Sequence, residues 1–167
     1  GNTNHALRNA KGEWIKLLHD DDVLKPNCLE ELVGVLGLRD NVVCVVCGVE
    51  KYVDGGLRCS AGKSGWPMLE VIPQDQVHLG MYMNENMGGA LPSQKLIRRT
   101  VVDRNALMEP HPGIRLMVDS IFNARVAQHG AIMIYRKPLV EWHQGLHETQ
   151  TTEISDAEHD REIMIFR

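Results

Sequence analysis

Three consecutive carboxylates, Asp20, Asp21 and Asp22, end a short apolar run in the stretch WIKLLHDDDVLKP, residues 14–26. Aspartate is a short, hard oxygen ligand, so a turn that fans such side chains round one point can coordinate Mg²⁺ or Mn²⁺. An ion held this way keeps positions that phosphate oxygens can fill. If the apolar run is a strand, the carboxylates lie beyond its carboxyl end, where open α/β sheets bind ligands. A plainer reading is an acidic turn capping the next helix, with Asp22 just ahead of it. Spacing alone leaves both readings open.

Other residues are candidates for chemistry or recognition. Arg98 and Arg99 close the strand-like SQKLIRR and suit bidentate binding of a diphosphate or an acidic acceptor, or form a solvated pair at a strand end. Gly88 and Gly89, in ENMGGALP, allow close backbone approach. Trp66 either stacks on a sugar ring or pins its loop to the core. Gly62-Lys63-Ser64-Gly65 has the look of a phosphate loop, but Leu57 stands where that pattern needs its first glycine, so it reads as a surface loop. His143 and His147 are four apart, yet Gly145 between them argues against a helix and hence against a two-histidine zinc site.

The elements that must position these groups follow from periodicity. Residues 2–11 read as a helix with Thr3 as cap and Gly12 as stop, and residues 13–18 as the strand feeding the carboxylates. Pro26 falls in the first turn of a helix whose Leu29, Leu32, Val33 and Leu36 recur at helical spacing. Residues 42–53 form a long strand, and Asp54-Gly55-Gly56 is a hairpin signal leading to 57–60. Strand, helix, strand implies a mainly parallel sheet. Residues 60–73 read as a loop, 73–83 as a helix and 93–99 as a strand. In residues 117–130, Ile121, Ala124, Val126 and Ala127 make a helical stripe, with Asp119 in the first turn and Gly130 at the C-cap. Residues 131–135 and 138–142 read as two strands separated by Arg136-Lys137. Residues 155–167 form a final helix with a Ser155/Glu158 capping box, whose Ile163, Ile165 and Phe166 cover the sheet or serve a homo-oligomer contact.

The 167 residues suit one domain with a sizeable core. A net charge of −4 without a basic block argues against a nucleic-acid surface. No apolar run approaches the ~18 residues of a membrane span, so a cytoplasmic protein is expected. Cys44-Val-Val-Cys47 has the spacing of a metal or redox pair, but on a strand these positions face opposite ways. Buried, reduced cysteines are expected at Cys28, Cys44, Cys47 and Cys59.

The run GNTNHALRNAKGEWIKLLHDDDVLKPNCLEELV resembles the middle of the family 2 glycosyltransferases, whose fold is called GT-A. Asn4, Ala10, Lys11, Gly12, Glu13, Asp20, Asp21, Asp22, Pro26, Leu29 and Glu30 stand at places matching that family's pattern, with His19 where many members carry Asp. The resemblance continues through Pro92-Ser93 with Leu96-Ile97-Arg98-Arg99, and through Asp119, Arg125 and Gly130, to about Thr152. It implies an α/β, Rossmann-like GT-A domain with a mixed, mainly parallel sheet. Nothing matches the family's opening nucleotide-binding strands, so residues 1–167 are expected to be one N-terminally truncated, partial domain.

By that resemblance, Asp20, Asp21 and Asp22 hold Mn²⁺ or Mg²⁺ on the diphosphate of a nucleotide-sugar donor, for instance a UDP-sugar. Asp119 is the base that deprotonates a saccharide or lipid-linked acceptor, with inversion. Arg98 and Arg99 lie on the acceptor side, and His147 is a metal or phosphate neighbour. Two rivals remain: a non-catalytic fragment that only folds or oligomerises, and a metal-dependent nucleotidyl or phosphoryl transferase using the same carboxylates.

Overall fold

The computed structural model describes residues 2–60, 67–77, 91–104, 106–109, 112 and 118–144. Chain order is α1 (Asn2–Asn9), β1 (Trp14–Lys16), β2 (Val23–Leu24), α2 (Cys28–Leu36), β3 (Val42–Val53), β4 (Gly56–Ser60) and β5 (Leu69–Ile72). After a 3₁₀ turn at Gln74–Gln76 and another at Pro92–Gln94 come β6 (Lys95–Arg98), α3 (Arg99–Asp103), α4 (Val118–Ala127) and β7 (Ala131–Gln144).

The strands form one mixed sheet in the order β1-β6-β3-β7-β2, with β4 on β3 and β5 on β7. Its centre is the parallel pair β3–β7, running from Val42 opposite Ala131 to Val53 opposite Gln144. The expected dominance of parallel pairing is confined to this pair. The other pairings among the described strands are antiparallel, because β6 runs back from a turn and β2, β4 and β5 are short returns.

β3 is buried on both faces, and its alternation divides the core. Cys44 and Val46 join Ile15, Ile97 and Phe122 under α1, α3 and α4, while Val45 and Cys47 join Cys28, Leu32 and Met133 under α2. Cys44 and Cys47 therefore point into separate clusters and cannot share one ion, as strand geometry predicts. Burial pushes the Cys44 thiol up to about 12, which makes it inert. Cys28, Cys44 and Cys47 are free thiols.

β7 is one strand rather than two. Its register against β3 shifts where Cys47 faces Tyr135 and Gly48 faces Pro138, so Arg136 and Lys137 are absorbed as a bulge. The bulge is held from both sides. Arg136 donates to Glu70 Oε2 at 2.5 Å and to the Pro67 carbonyl at 2.6 Å, while Lys137 pairs with Glu31, which also accepts from the Tyr135 hydroxyl at 2.7 Å.

Turn chemistry explains the remaining joints. Asp54 and Gly55 both take positive φ, 49° and 77°, which closes the β3–β4 hairpin with the hand that strand twist favours. Gly130 does not cap α4 with a left-handed turn. It is needed because a Cβ there would lie 2.6 Å from Val43 Cγ1 and 2.8 Å from the Asn41 carbonyl. α1 begins by Asn2, which puts Thr3 inside the helix rather than at its cap. Asn4 ties this helix down, donating from Nδ2 to the Met108 carbonyl and accepting from the Met108 N–H, both at 2.9 Å. The helix expected over 73–83 is a 3₁₀ turn at Gln74–Gln76 as far as Val77, beyond which it lies outside the described residues, as does the helix expected over 155–167.

Candidate active site

The apolar run 14–18 places Ile15 and Leu17 in the core and ends in a turn, and Asp22 emerges from that turn immediately before β2. Asp22 is not the cap of α2, whose N-cap is Asn27, so the plainer reading of the carboxylates lapses. Instead Asp22 is 6 % exposed, and beyond the Ser93 hydroxyl no hydrogen-bond donor serves its carboxyl oxygens among the described residues. Burial pushes its carboxyl above the usual carboxylate range, with Asp21 adding to the effect and the Ser93 hydroxyl, His19 and His143 opposing it.

A buried carboxylate with so few donors is costly, and a cation beside it offsets that cost. The neighbours suit one. One potential ligand atom from each of His19, Asp21 and Asp22 lies within 4.8 Å of the others, a set that could hold a divalent ion. Asp20, the first of the three aspartates, is exposed and outside this group.

The turn is held from across the sheet. Ser93 is fully buried, its hydroxyl accepts the His19 backbone N–H at 2.9 Å, and its carbonyl accepts from Lys16 Nζ. Gln94 next to it donates to the Cys47 carbonyl at 2.7 Å and accepts from the Leu91 N–H at 2.9 Å. Burial lowers the Lys16 ammonium below the ordinary lysine range, while the nearby thiols of Cys47, Cys28 and Cys44 and the carboxyl of Asp22 oppose that.

The pairing of β6 with β1 sets Lys95 beside the end of β1. Lys16 faces Leu96, so the start of β6 lies beside the end of β1, and Val46 of β3 faces Lys95 there. Asp119, half-buried in the first turn of α4, acts on Lys95 through its charge. α4 precedes β7, whose far residues complete the rim. His143 stacks on Tyr52 with ring centroids 5.0 Å apart, lies 3.4 Å from Glu141, and bears on Asp22.

The arginines are set apart from this end. Trp14 faces Arg98, at the beginning of β1, because antiparallel pairing carries the end of β6 away from the carboxylate turn. Arg98 sits over the Trp14 ring at 4.4 Å with Glu13 at 3.4 Å, and Arg99 opens α3 and pairs with Asp103 at 3.2 Å. Trp66, Gly88, Gly89 and His147 lie outside the described residues. Sequence reasoning passed over Ser93, Lys16 and Lys95. The signal for the lysines was there: each interrupts a strand whose other inward positions are apolar.

Known proteins bear on this arrangement in three ways. The chain is 36% identical over 59 residues to an uncharacterized protein, y4gI, of Sinorhizobium fredii, a match covering 35% of this chain and 6% of that protein. The crystal structure of residues 1–349 of TarS from S. aureus superposes with a TM-score of 0.57 at 16% identity, covering 84% of this chain and 38% of that one, a likeness of fold. The chain thus spans a small part of the curated relative and well under half of the solved one. Among the described residues no helix is long and apolar enough to cross a membrane. Residues 1–105, which carry the Asn4 anchor, the carboxylate turn and the Ser93 clasp, match the family model for glycosyl transferase family 2, and this GT-A-type chain belongs to that family.

Proposed function

We propose that this chain takes part in sugar transfer from a nucleoside-diphosphate donor to an acceptor hydroxyl, with inversion at the anomeric carbon. The observation that carries the reading is Asp22, buried beside Asp21 and His19, the three able to bring one ligand atom each to a common point. Those three residues would hold a divalent ion, which when bound supplies positive charge to the donor diphosphate and so favours its departure. The imidazole of His19 tilts this ligand set toward Mn²⁺ over Mg²⁺, since magnesium keeps to oxygen ligands.

Asp119 is the assigned base. Its carboxylate takes the proton of the acceptor hydroxyl, the freed oxygen forms a bond to the anomeric carbon, and the bond from that carbon to the diphosphate breaks on the opposite face. The nucleoside diphosphate leaves with the electron pair. Arg98 and Arg99, engaged at the other end of β1, receive no part in this scheme. We assign the cytoplasm as setting, in keeping with the free thiols of Cys28, Cys44 and Cys47. The donor is a nucleotide sugar, for which UDP is the first nucleotide to try, and the acceptor a saccharide or lipid-linked hydroxyl.

The test is calorimetric titration of this chain with UDP and other nucleoside diphosphates, with and without Mn²⁺. Manganese-dependent binding that disappears in Asp21→Ala and Asp22→Ala is the expected result. Binding indifferent to Mn²⁺ and to both substitutions would overturn the assignment of the carboxylate turn.

A further inference from the structure

The parallel pair β3–β7 changes character along its length. As far as Val49 and Val140 it is largely apolar, and beyond them Glu50, Lys51 and Tyr52 stand opposite Glu141, Trp142 and His143. Alternation divides these three rungs between the faces of the sheet. Val49 and Trp142 join the cluster under α2, and Lys51 lies over the Trp142 ring at 4.4 Å. Glu50, Tyr52, Glu141 and His143 therefore share the other face, on which Val46 packs with Phe122 of α4 nearer the middle of the strands. Gly48 adds no side chain to that face.

The four side chains make a fixed wall rather than a piece of core. Tyr52 belongs to neither hydrophobic cluster, and its ring stacks on His143 with centroids 5.0 Å apart and planes 10° from parallel. Glu50 and Glu141 face each other across the strands, and like charges so placed weaken a sheet. Each is matched by other groups. Lys25 Nζ lies 2.7 Å from Glu50 Oε1, the Tyr52 hydroxyl donates to Glu50 Oε2 at 3.3 Å, and His143 Nε2 lies 3.4 Å from Glu141 Oε2. Glu141 and His143 stay within reach of a ligand, with 30% and 23% of their side chains exposed.

Stability gives little reason for two opposed glutamates beside a half-buried ring pair, but their place does. β2 pairs with β7 through Val23 opposite Glu141, so the carboxylate turn, which runs straight into Val23, comes level with the tip of β7. Strand tips of open α/β sheets are where ligands bind. Aromatic rings flanked by fixed carboxylates fit a sugar ring, whose C–H face packs on an aromatic face while its hydroxyls donate to carboxylates and exchange hydrogen bonds with phenol and imidazole.

We propose that Tyr52, His143, Glu50 and Glu141 form a saccharide subsite beside the carboxylate turn, where a pyranose ring of the acceptor or of the donor is held and selected. The proposal rests on the reading of His19, Asp21 and Asp22 as the place of the donor diphosphate, which brings both sugars of the reaction next to this wall.

The experiment separates the two sources on the full chain. Methyl glucoside, N-acetylglucosamine and maltose are tested as free saccharides by saturation-transfer NMR. UDP-glucose and UDP-N-acetylglucosamine are compared with UDP by calorimetry in Mn²⁺. An acceptor ring is expected to show saturation on its own protons without nucleotide, and a donor ring to make the UDP-sugar bind more tightly than UDP. Either affinity should fall roughly tenfold in Tyr52→Leu, which keeps apolar bulk and loses the ring. It should fall about threefold or more in Glu141→Gln, with binding of UDP itself unchanged in both variants.

Absence of saturation in every free saccharide, together with UDP-sugars that bind no better than UDP, would overturn the subsite. So would saccharide binding that neither substitution moves. Saccharide binding that Tyr52→Leu weakens, in a chain whose UDP binding ignores Mn²⁺ and Asp22→Ala, would keep the subsite and overturn the reading of the carboxylate turn.

Discussion

The hydroxyl of Ser93 accepts the backbone N–H of His19 at 2.9 Å, joining the turn that carries the carboxylates to the turn that opens β6. The two residues are 74 apart in the chain, and the bond holds only if β6 lies against β1 in the observed register. Ser93→Ala removes the acceptor and leaves the His19 N–H without its partner. A loss of about 1 kcal/mol in stability is expected. The larger effect is on the carboxylate turn, where Mn²⁺ affinity should fall roughly tenfold or more, as when a group orienting metal ligands is removed. Urea unfolding and manganese titration check the two effects separately.

Asp22→Asn should act in opposite directions on stability and on cation response. The native carboxylate is buried and burial disfavours its charge, so the neutral amide is expected to raise the melting temperature of the metal-free protein, by an amount worth about 1 kcal/mol. The same change should erase the rise in melting temperature that Mn²⁺ gives the unaltered chain. Thermal unfolding with and without Mn²⁺ reads both, and a variant less stable without metal would mean that Asp22 has a structural partner.

Lys95 makes stability depend on pH with a defined sign. Its folded value of about 8 lies below the unfolded 10.5, so between these values the unfolded chain holds a proton that the folded one has released. The cost of burying the charge is therefore present in full below about pH 8 and relieved as pH rises toward 10.5. Compared with Lys95→Met, the unaltered chain should gain about 3 kcal/mol across that window. Denaturant melts of both proteins at intervals from pH 7 to 10.5 test it, and a constant difference would contradict the burial of a charged Lys95.

Gly130→Ala should be costly although the position takes no left-handed turn. The new methyl would meet Val43 Cγ1 at 2.6 Å and the Asn41 carbonyl at 2.8 Å, and the latter cannot rotate away. Asn41 also accepts from the Ala131 N–H at 3.1 Å where β7 begins its pairing with β3. A destabilisation of about 1–3 kcal/mol is expected in chemical unfolding. An effect near zero would show that the 41–43 backbone yields.

Asn4→Leu should loosen α1. The side chain makes two hydrogen bonds to the backbone of Met108, and leucine leaves both groups unsatisfied at a part-buried site. A cost of about 1–3 kcal/mol is expected. Hydrogen exchange should show the loss centred on the Met108 amide rather than spread over the sheet.

The sequence by itself determined what depends on near neighbours. The apolar, β-branched run 42–49 made a strand buried on both faces, Asp54-Gly55 made a hairpin of the right hand, the stripe in 117–130 made α4 with Asp119 in its first turn, and the family was legible in residues 4–30. Each follows from periods of two or 3.6 residues, or from turn chemistry over a few residues. Tertiary structure decided what depends on which strand lies beside which. The antiparallel register of β6 on β1 brought Ser93 to His19, buried Lys95, and carried Arg98 to the other end. The bulge that lets β7 continue through Arg136 and Lys137 exists only because β3 runs alongside it. Asp22 became a candidate ligand, and Asp20 did not, because the turn brings ligand atoms of His19, Asp21 and Asp22 within 4.8 Å of one another and leaves Asp20 outside. Burial and register arise between segments many tens of residues apart, and no local pattern encodes them.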